Sequence, residues 1–271
     1  MPTLYIVPTP IGNLEDITLR ALRVLEEAHL IAAEDTRVTR KLLARYSIST
    51  PTTAFHEHNR AQKTPYLLGL LPEKDIALVS DAGTPTINDP GQQLVSAAAS
   101  AGFEVVALPG PSALTTAIAV SGVRAEGFTY LGYLPTRKSA RVKFLSELTA
   151  EPRALIAFET PHRLTAALAD ILDTLGDRRI AVCRELTKMH EEVFRGKVSN
   201  AIEHFARPRG EFTLVIEGSG DASPQFSKED AIELLSRLKE QGASARDATA
   251  ATTNATGLSR RELYSMWLSL P

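Results

Sequence analysis

The chain has 271 residues, 44% of them hydrophobic and 23% charged, enough for two buried cores at roughly 100–200 residues per domain. A formal net charge of −2 excludes a globally basic, polyanion-binding protein, so any nucleic-acid contact must be local. A single cysteine, Cys183, excludes an internal disulfide framework and a cysteine-rich zinc site, and points to a reducing cytoplasm. The N-terminal residues lack a secretory pattern, and no apolar run approaches the ~20 residues of a membrane span, so a soluble cytoplasmic protein is expected.

Short apolar runs alternating with segments of helical period predict an α/β architecture with a largely parallel sheet. Strands are expected at 4–7, 30–32, 76–79 and 105–108, and helices at 18–27, 37–46, 62–71, 91–101 and 112–120. Several of these helices open with Thr, Ser or Gly, where an N-cap belongs. This N-terminal α/β domain is placed at 1–122. After 128–134 the series resumes, with strands at 155–158, 180–183 and 212–217 and helices at 138–148 and 163–175, giving a central α/β domain at 123–220. The turn formers Gly218-Ser219-Gly220-Asp221-Ala222-Ser223-Pro224 read as a linker before a small helical C-terminal domain at 225–271.

Ligands of open α/β sheets gather at the carboxyl ends of strands. The run Ile76-Ala77-Leu78-Val79 leads into Ser80-Asp81-Ala82-Gly83-Thr84-Pro85, a long polar turn closed by Asp89-Pro90-Gly91. Gly83 admits close backbone approach, Pro85 and Pro90 stiffen the loop, and Asp81 can accept hydrogen bonds from hydroxyls or an ammonium group. A merely structural Pro-rich turn has the same composition. Pro8-Thr9-Pro10-Ile11-Gly12-Asn13 and Pro109-Gly110-Pro111-Ser112-Ala113 hold equivalent positions, so three loops are expected to converge on one edge. Neither a dinucleotide fingerprint nor a phosphate loop follows a strand.

Taken with Ala33-Glu34-Asp35-Thr36-Arg37, Phe158-Glu159-Thr160-Pro161-His162-Arg163, Arg184-Glu185-Leu186-Thr187-Lys188 and Gly210-Glu211-Phe212-Thr213, these loops make the chain resemble the tetrapyrrole-methylase-like superfamily. Within it, the resemblance is to the branch that 2′-O-methylates a cytidine ribose in small-subunit ribosomal RNA, because Pro8–Asn13 replaces the G-x-G-P-G loop of tetrapyrrole enzymes. The resemblance implies two α/β domains with S-adenosyl-L-methionine in the cleft between them, and a homodimer. It implies cofactor contacts at Pro10, Ala82, Gly83, Thr84, Ile87, Ser112, Ala113, Glu159 and Leu186, with Asp81 adjoining. A tetrapyrrole or protein acceptor, or a binding module without catalysis, are the competing readings.

Methyl transfer demands in-line placement of the acceptor oxygen and exclusion of water. A carboxylate or histidine can also take the hydroxyl proton. Glu34, Asp35, Glu159, Glu185 and His162 are the candidates, the catalytic assignment resting on Glu159, Asp35 and Glu185; capping or ion pairing accounts equally for several of them. Arg37, Arg40, Lys41 and Arg45 fall at helical spacings, and Arg137, Lys138, Arg141 and Lys143 form a second basic cluster. Each reads either as a phosphate contact, with Arg37, Lys41, Arg137 and Lys138 as the RNA-binding set, or as a solvated helix face. His56 and His58 share one side of an extended segment without a third metal ligand at suitable spacing, so no metal is expected. The tail 244–264 has a helix-turn-helix pattern, in which Arg260 and Arg261 either contact RNA or pack at a dimer interface.

Overall fold

The computed structural model describes residues 2–87, 89, 91–219, 228–256 and 260–270. Pro90 of the loop after the third predicted strand, most of the predicted 218–224 linker and the turn at 257–259 of the tail motif lie outside the described residues.

Strands β1 (Thr3–Ile6), β2 (Leu30–Ala33), β3 (Thr52–Ala54), β4 (Ile76–Val79) and β5 (Glu104–Ala107) form one sheet in the order β3-β2-β4-β1-β5. Every pair in it is parallel, as the alternating pattern predicts. Because side chains alternate between faces, Val7, Ile31, Ala33, Ala77 and Val79 share a core with Val24, Leu25, Leu42 and Leu43 of α1 (Leu19–Glu27) and α2 (Thr36–Arg45). On the other face Leu4, Ile6, Ala32, Ile76 and Leu78 pack with Leu67, Leu94 and Ala98 of α3 (Arg60–Leu70) and α4 (Gly91–Ser100). Burial on both faces is why β2 and β4 read as unbroken apolar runs. The short β3, with two threonines, carries no such run and escapes a sequence reading.

The second sheet departs from the parallel expectation. It is built from β6 (Phe128–Tyr133), β7 (Ala154–Glu159), β8 (Arg179–Arg184), β9 (Glu192–Lys197) and β10 (Phe212–Ile216), in the order β6-β7-β10-β8-β9. Only β6 and β7 run parallel; the other three pairs are antiparallel. A parallel neighbour needs a crossover of about a dozen residues or more, and the 185–191 connection between β8 and β9 is too short for one. Leu155, Ala157, Val182, Leu214 and Ile216 pack beneath α6 (Lys138–Ser146), α7 (Pro161–Leu175) and α8 (Val198–His204).

The opposite face of this sheet, Ile156, Ala181, Cys183 and Val215, is covered by Leu114 and Ala117 of α5 (Ala113–Ser121). The helix expected within residues 1–122 therefore shares its core with the second sheet. At the C-terminal end, α9 (Lys228–Glu240), α10 (Ala245–Thr256) and α11 (Arg260–Ser269) enclose a small cluster of Ala231, Leu235, Ala248 and Leu263. No helix among the described residues is long and apolar enough to cross a membrane.

Arg141 corrects one expectation of surface charge. It is 4% exposed, pairs with the equally buried Asp170 of α7 at 2.5 Å, and donates to the carbonyls of Pro135 and Thr136. The apolar positions around it place this residue on the inward face of α6, so it fastens the 135–136 turn and is withheld from solvent. Removing Arg141 leaves the buried Asp170 carboxylate with only the exposed Lys138, 3.7 Å away, as a cationic partner among the described residues. Arg141→Met is expected to lower stability by about 3–5 kcal/mol, and the double replacement Arg141→Met with Asp170→Leu to recover most of that loss, as read by urea denaturation midpoints.

Candidate active site

β4, β1 and β5 are neighbours, so the loops that leave their carboxyl ends meet. Thr9 and Gly83 exchange two backbone hydrogen bonds of 2.9 Å, an antiparallel bridge between the first and second of these loops. The buried Thr9 hydroxyl also donates to the Ser80 carbonyl at 3.0 Å, and the Thr84 hydroxyl donates to the Pro111 carbonyl at 3.1 Å, tying in the third loop. Gly83 has φ +79°, a left-handed conformation open to glycine at little cost.

The second sheet closes on this edge. The Asn13 N–H donates to the Thr187 hydroxyl at 3.0 Å. Gly12 fits only without a side chain, because a Cβ there would lie 2.5 Å from Lys188 Cγ and 3.0 Å from the Leu186 carbonyl oxygen. Glu185 and Thr187 both adopt positive φ, at 50° and 66°, which turns Leu186 between them inward.

A cleft with a cavity volume of about 160 Å3, open at its mouth, runs between the two walls. Of the ten sequence-derived cofactor positions, Ala82, Gly83, Thr84, Ile87, Ser112, Ala113, Glu159 and Leu186 line it. Pro10 and Asp81 do not: Pro10 is buried in its loop, and the Asp81 carboxylate accepts the Asp35 N–H at 2.8 Å. Ile11, Tyr133, Phe158, Cys183, Glu211, Phe212 and Thr213 also line the cleft. Ile11, Phe158, Glu211, Phe212 and Thr213 fall within the motifs quoted above without being singled out as contacts, whereas Tyr133 and Cys183 lie outside them, on strands where an aromatic or a thiol has no chemical signature. Burial pushes the Cys183 thiol up to about 11, so it stays protonated and unreactive.

The three predicted bases separate. Glu159 is 2% exposed at the end of β7. Its Oε1 accepts the Thr160 N–H at 2.8 Å and faces Arg163 Nε at 3.2 Å, while its buried Oε2 has no hydrogen-bond partner among the described residues. Asp35 lies outside the cleft as the N-cap of α2, paired with Arg37 at 2.6 Å; those hydrogen bonds hold its carboxyl down at about 2. Glu185 is also outside, accepting from Lys188 Nζ and the Glu211 N–H, each at 2.9 Å. His162 is near the Thr160 hydroxyl, and the buried His56 Nδ1 is unpartnered among the described residues.

A second pocket adjoins the cleft at Ile87 and is lined by Glu34, Glu57, Thr86, Asp89, Gln92 and Tyr130. Burial, reinforced by the charges of Asp81, Asp89 and Asp35, pushes Glu34 above the usual carboxylate range, although the Asp81 N–H bound to it works the other way. Burial also raises Asp81 and Asp89. Of the RNA-binding candidates, Lys41, Arg137 and Lys138 are exposed, and Arg37 stays 84% exposed despite its ion pair. Arg260 and Arg261 of α11 are exposed as well.

Residues 3–202 match the family described as Tetrapyrrole (Corrin/Porphyrin) Methylases. A protein of Synechocystis sp. named ribosomal RNA small subunit methyltransferase I is 45% identical over 100% of this chain and 99% of its own length. A Thermotoga maritima protein of the same name is 51% identical over 80% of this chain and 99% of its own. The chain belongs to the ribosomal RNA small subunit methyltransferase I family of tetrapyrrole methylases. The fold agrees with a solved uroporphyrin-III-C-methyltransferase from Thermus thermophilus, which is 21% identical with a TM-score of 0.58 over 81% of this chain and 95% of that one. Cobalt precorrin-4 methyltransferase gives a TM-score of 0.60 at 16% identity, over 79% and 94%.

A raised carboxyl prefers its proton in the folded state, so its contribution to stability falls as pH rises through the window above the unfolded value of about 4.3. Glu34→Gln, which keeps an oxygen for the Asp81 N–H, is expected to gain stability over the unaltered chain at pH 7.5. The gain should stay below about 1 kcal/mol for so open a group and should vanish toward pH 4, in paired denaturant titrations.

Proposed function

We propose that this chain transfers a methyl group from S-adenosyl-L-methionine, held in the cleft between the two sheets, to the 2′-oxygen of a cytidine ribose in small-subunit ribosomal RNA. The observation that carries the acceptor is the 45% identity to the Synechocystis protein over the whole chain. Pro8–Asn13 in place of a G-x-G-P-G loop also favours an RNA over a tetrapyrrole.

The cleft suits the cofactor on its own chemistry. A buried carboxylate oxygen without a donor costs about 1–3 kcal/mol, and Glu159 Oε2, which has none among the described residues, is matched by the ammonium or ribose hydroxyls of this molecule. Gly83 leaves backbone open on the facing wall, and Ile11, Ile87 and Leu186 give apolar surface. When bound, S-adenosyl-L-methionine supplies an electrophilic methyl on a sulfonium. The chain's own work is then placement and exclusion of water, for which two walls joined by Asn13 and Thr187 are suited.

The ribose hydroxyl must shed its proton as the new bond forms. Glu34 serves as its acceptor in this reading, because it lines the pocket that adjoins the cleft and binds a proton more readily than an ordinary carboxylate. Asp35 and Glu185 are held by cationic partners outside the cleft.

Labelled methyl should pass from S-adenosyl-L-methionine to small ribosomal subunits isolated from a strain lacking this methylation. Glu159→Gln should weaken cofactor binding by roughly tenfold or more in calorimetry. Glu34→Gln should leave that affinity in place and lower kcat by about 10²–10⁴. Labelling of tetrapyrroles alone, or no labelling, would overturn the acceptor; undiminished affinity in Glu159→Gln would overturn the role of that carboxylate.

A further inference from the structure

The aromatic side chains of the cleft are unequally covered. Phe212 is buried and Phe158 half-buried, whereas Tyr133 at the end of β6 keeps 53% of its surface exposed. A tyrosine left this open in a ligand cleft offers a flat apolar face to whatever enters.

Its direction is set by a β-bulge. In a regular strand, residues three apart point to opposite faces. The register of β6 shifts between Tyr130 and Gly132, so that Tyr130 pairs with Ile156 and Tyr133 with Phe158, two positions apart on the same face of β7. Gly132 accommodates the shift with φ +66°. Bulges beside functional sites commonly re-aim a side chain in this way. Both tyrosine rings meet Phe158 edge to face, with centroids 5.3 and 5.8 Å apart, so the Tyr133 ring is braced while half of the residue stays open.

The strip formed by Tyr130, Phe158 and Tyr133 joins the two cavities. Tyr130 lines the pocket that holds Glu34, and Phe158 and Tyr133 line the cleft. Directly after Tyr133 the chain turns through Pro135 and Thr136, a turn clamped by the buried Arg141, and presents the exposed cations Arg137 and Lys138. Single-stranded RNA is read by splaying a base onto an aromatic face while cations meet the neighbouring phosphates.

We propose that Tyr133 is the stacking platform for the nucleobase of the methylated nucleotide, with Arg137 and Lys138 holding the flanking phosphates. This assignment rests on the RNA acceptor reading above. Tyr133 is a positioning residue here, since a stacked base fixes where its ribose lies.

The test measures methyl-transfer kinetics on small ribosomal subunits and S-adenosyl-L-methionine affinity by calorimetry for Tyr133→Ala, Tyr133→Leu and Tyr133→Phe. Tyr133→Ala should raise KM for subunits roughly ten- to hundredfold, the scale of one lost base stack, with cofactor affinity retained. Tyr133→Phe should keep the original KM, whereas Tyr133→Leu, apolar but without a π face, should remain impaired. An unchanged KM in Tyr133→Ala, or a leucine that serves as well as phenylalanine, overturns the platform. A fall in cofactor affinity in Tyr133→Ala also overturns it, by making the ring part of the cofactor wall. If the unaltered protein labels no subunits, the acceptor reading falls and takes the platform with it; normal labelling with an unmoved KM removes the platform alone.

Discussion

The cleft depends on a helix that follows the loops of one sheet and packs on the other. α5 begins where the loop after β5 leaves the first sheet, and its N-cap Ser112 and first residue Ala113 line the cleft. Its body buries Leu114 and Ala117 on Ile156, Ala181, Cys183 and Val215 of the second sheet. Packed on the second sheet and tied to the first through the loop that Thr84 holds at Pro111, this helix brings the two walls together.

Around that helix the loops are held by directional bonds rather than by burial alone. The paired hydrogen bonds of Thr9 and Gly83 make the first-sheet loops a single surface, and the Asn13 to Thr187 bond joins it to the β8–β9 connection. Positive φ at Gly83, Glu185 and Thr187 places unusual backbone on both sides of the cleft. Such conformations persist where surrounding structure over-determines them, and they gather at functional sites. Charge is partitioned as well: the half-buried carboxylates Glu34 and Asp89 line one pocket, with Asp81 bonded to Glu34 through its N–H, while Lys41, Arg137 and Lys138 remain exposed. A net charge of −2 is thus compatible with local phosphate contact.

Much of this is legible in the sequence, for identifiable reasons. The parallel sheet is visible because strands buried on both faces leave unbroken apolar runs, as in Ile76–Val79. The three loops are visible because glycine and proline punctuate strand ends. Antiparallel pairing in the second sheet is hidden, since β9 has the mixed sequence Glu-Val-Phe-Arg-Gly-Lys of an edge strand. Arg141 resembles its exposed neighbours until its partner Asp170, on another helix, is seen. Asp35 and Glu185 look chemically able, yet local ion pairs commit them elsewhere, which spacing alone does not reveal. Tyr133 is hidden for a different reason: a bulge reverses the parity by which strand residues are assigned to faces.

The composite nature of the cleft is tested most directly by a crystal structure of the chain with S-adenosyl-L-methionine bound. On the proposed reading the ligand touches Gly83 and Thr84 on one wall and Glu159 and Leu186 on the other, with a donor of the ligand within hydrogen-bond distance of Glu159 Oε2. A ligand seated on the loops of the first sheet alone, leaving Glu159 and Leu186 untouched, would contradict it.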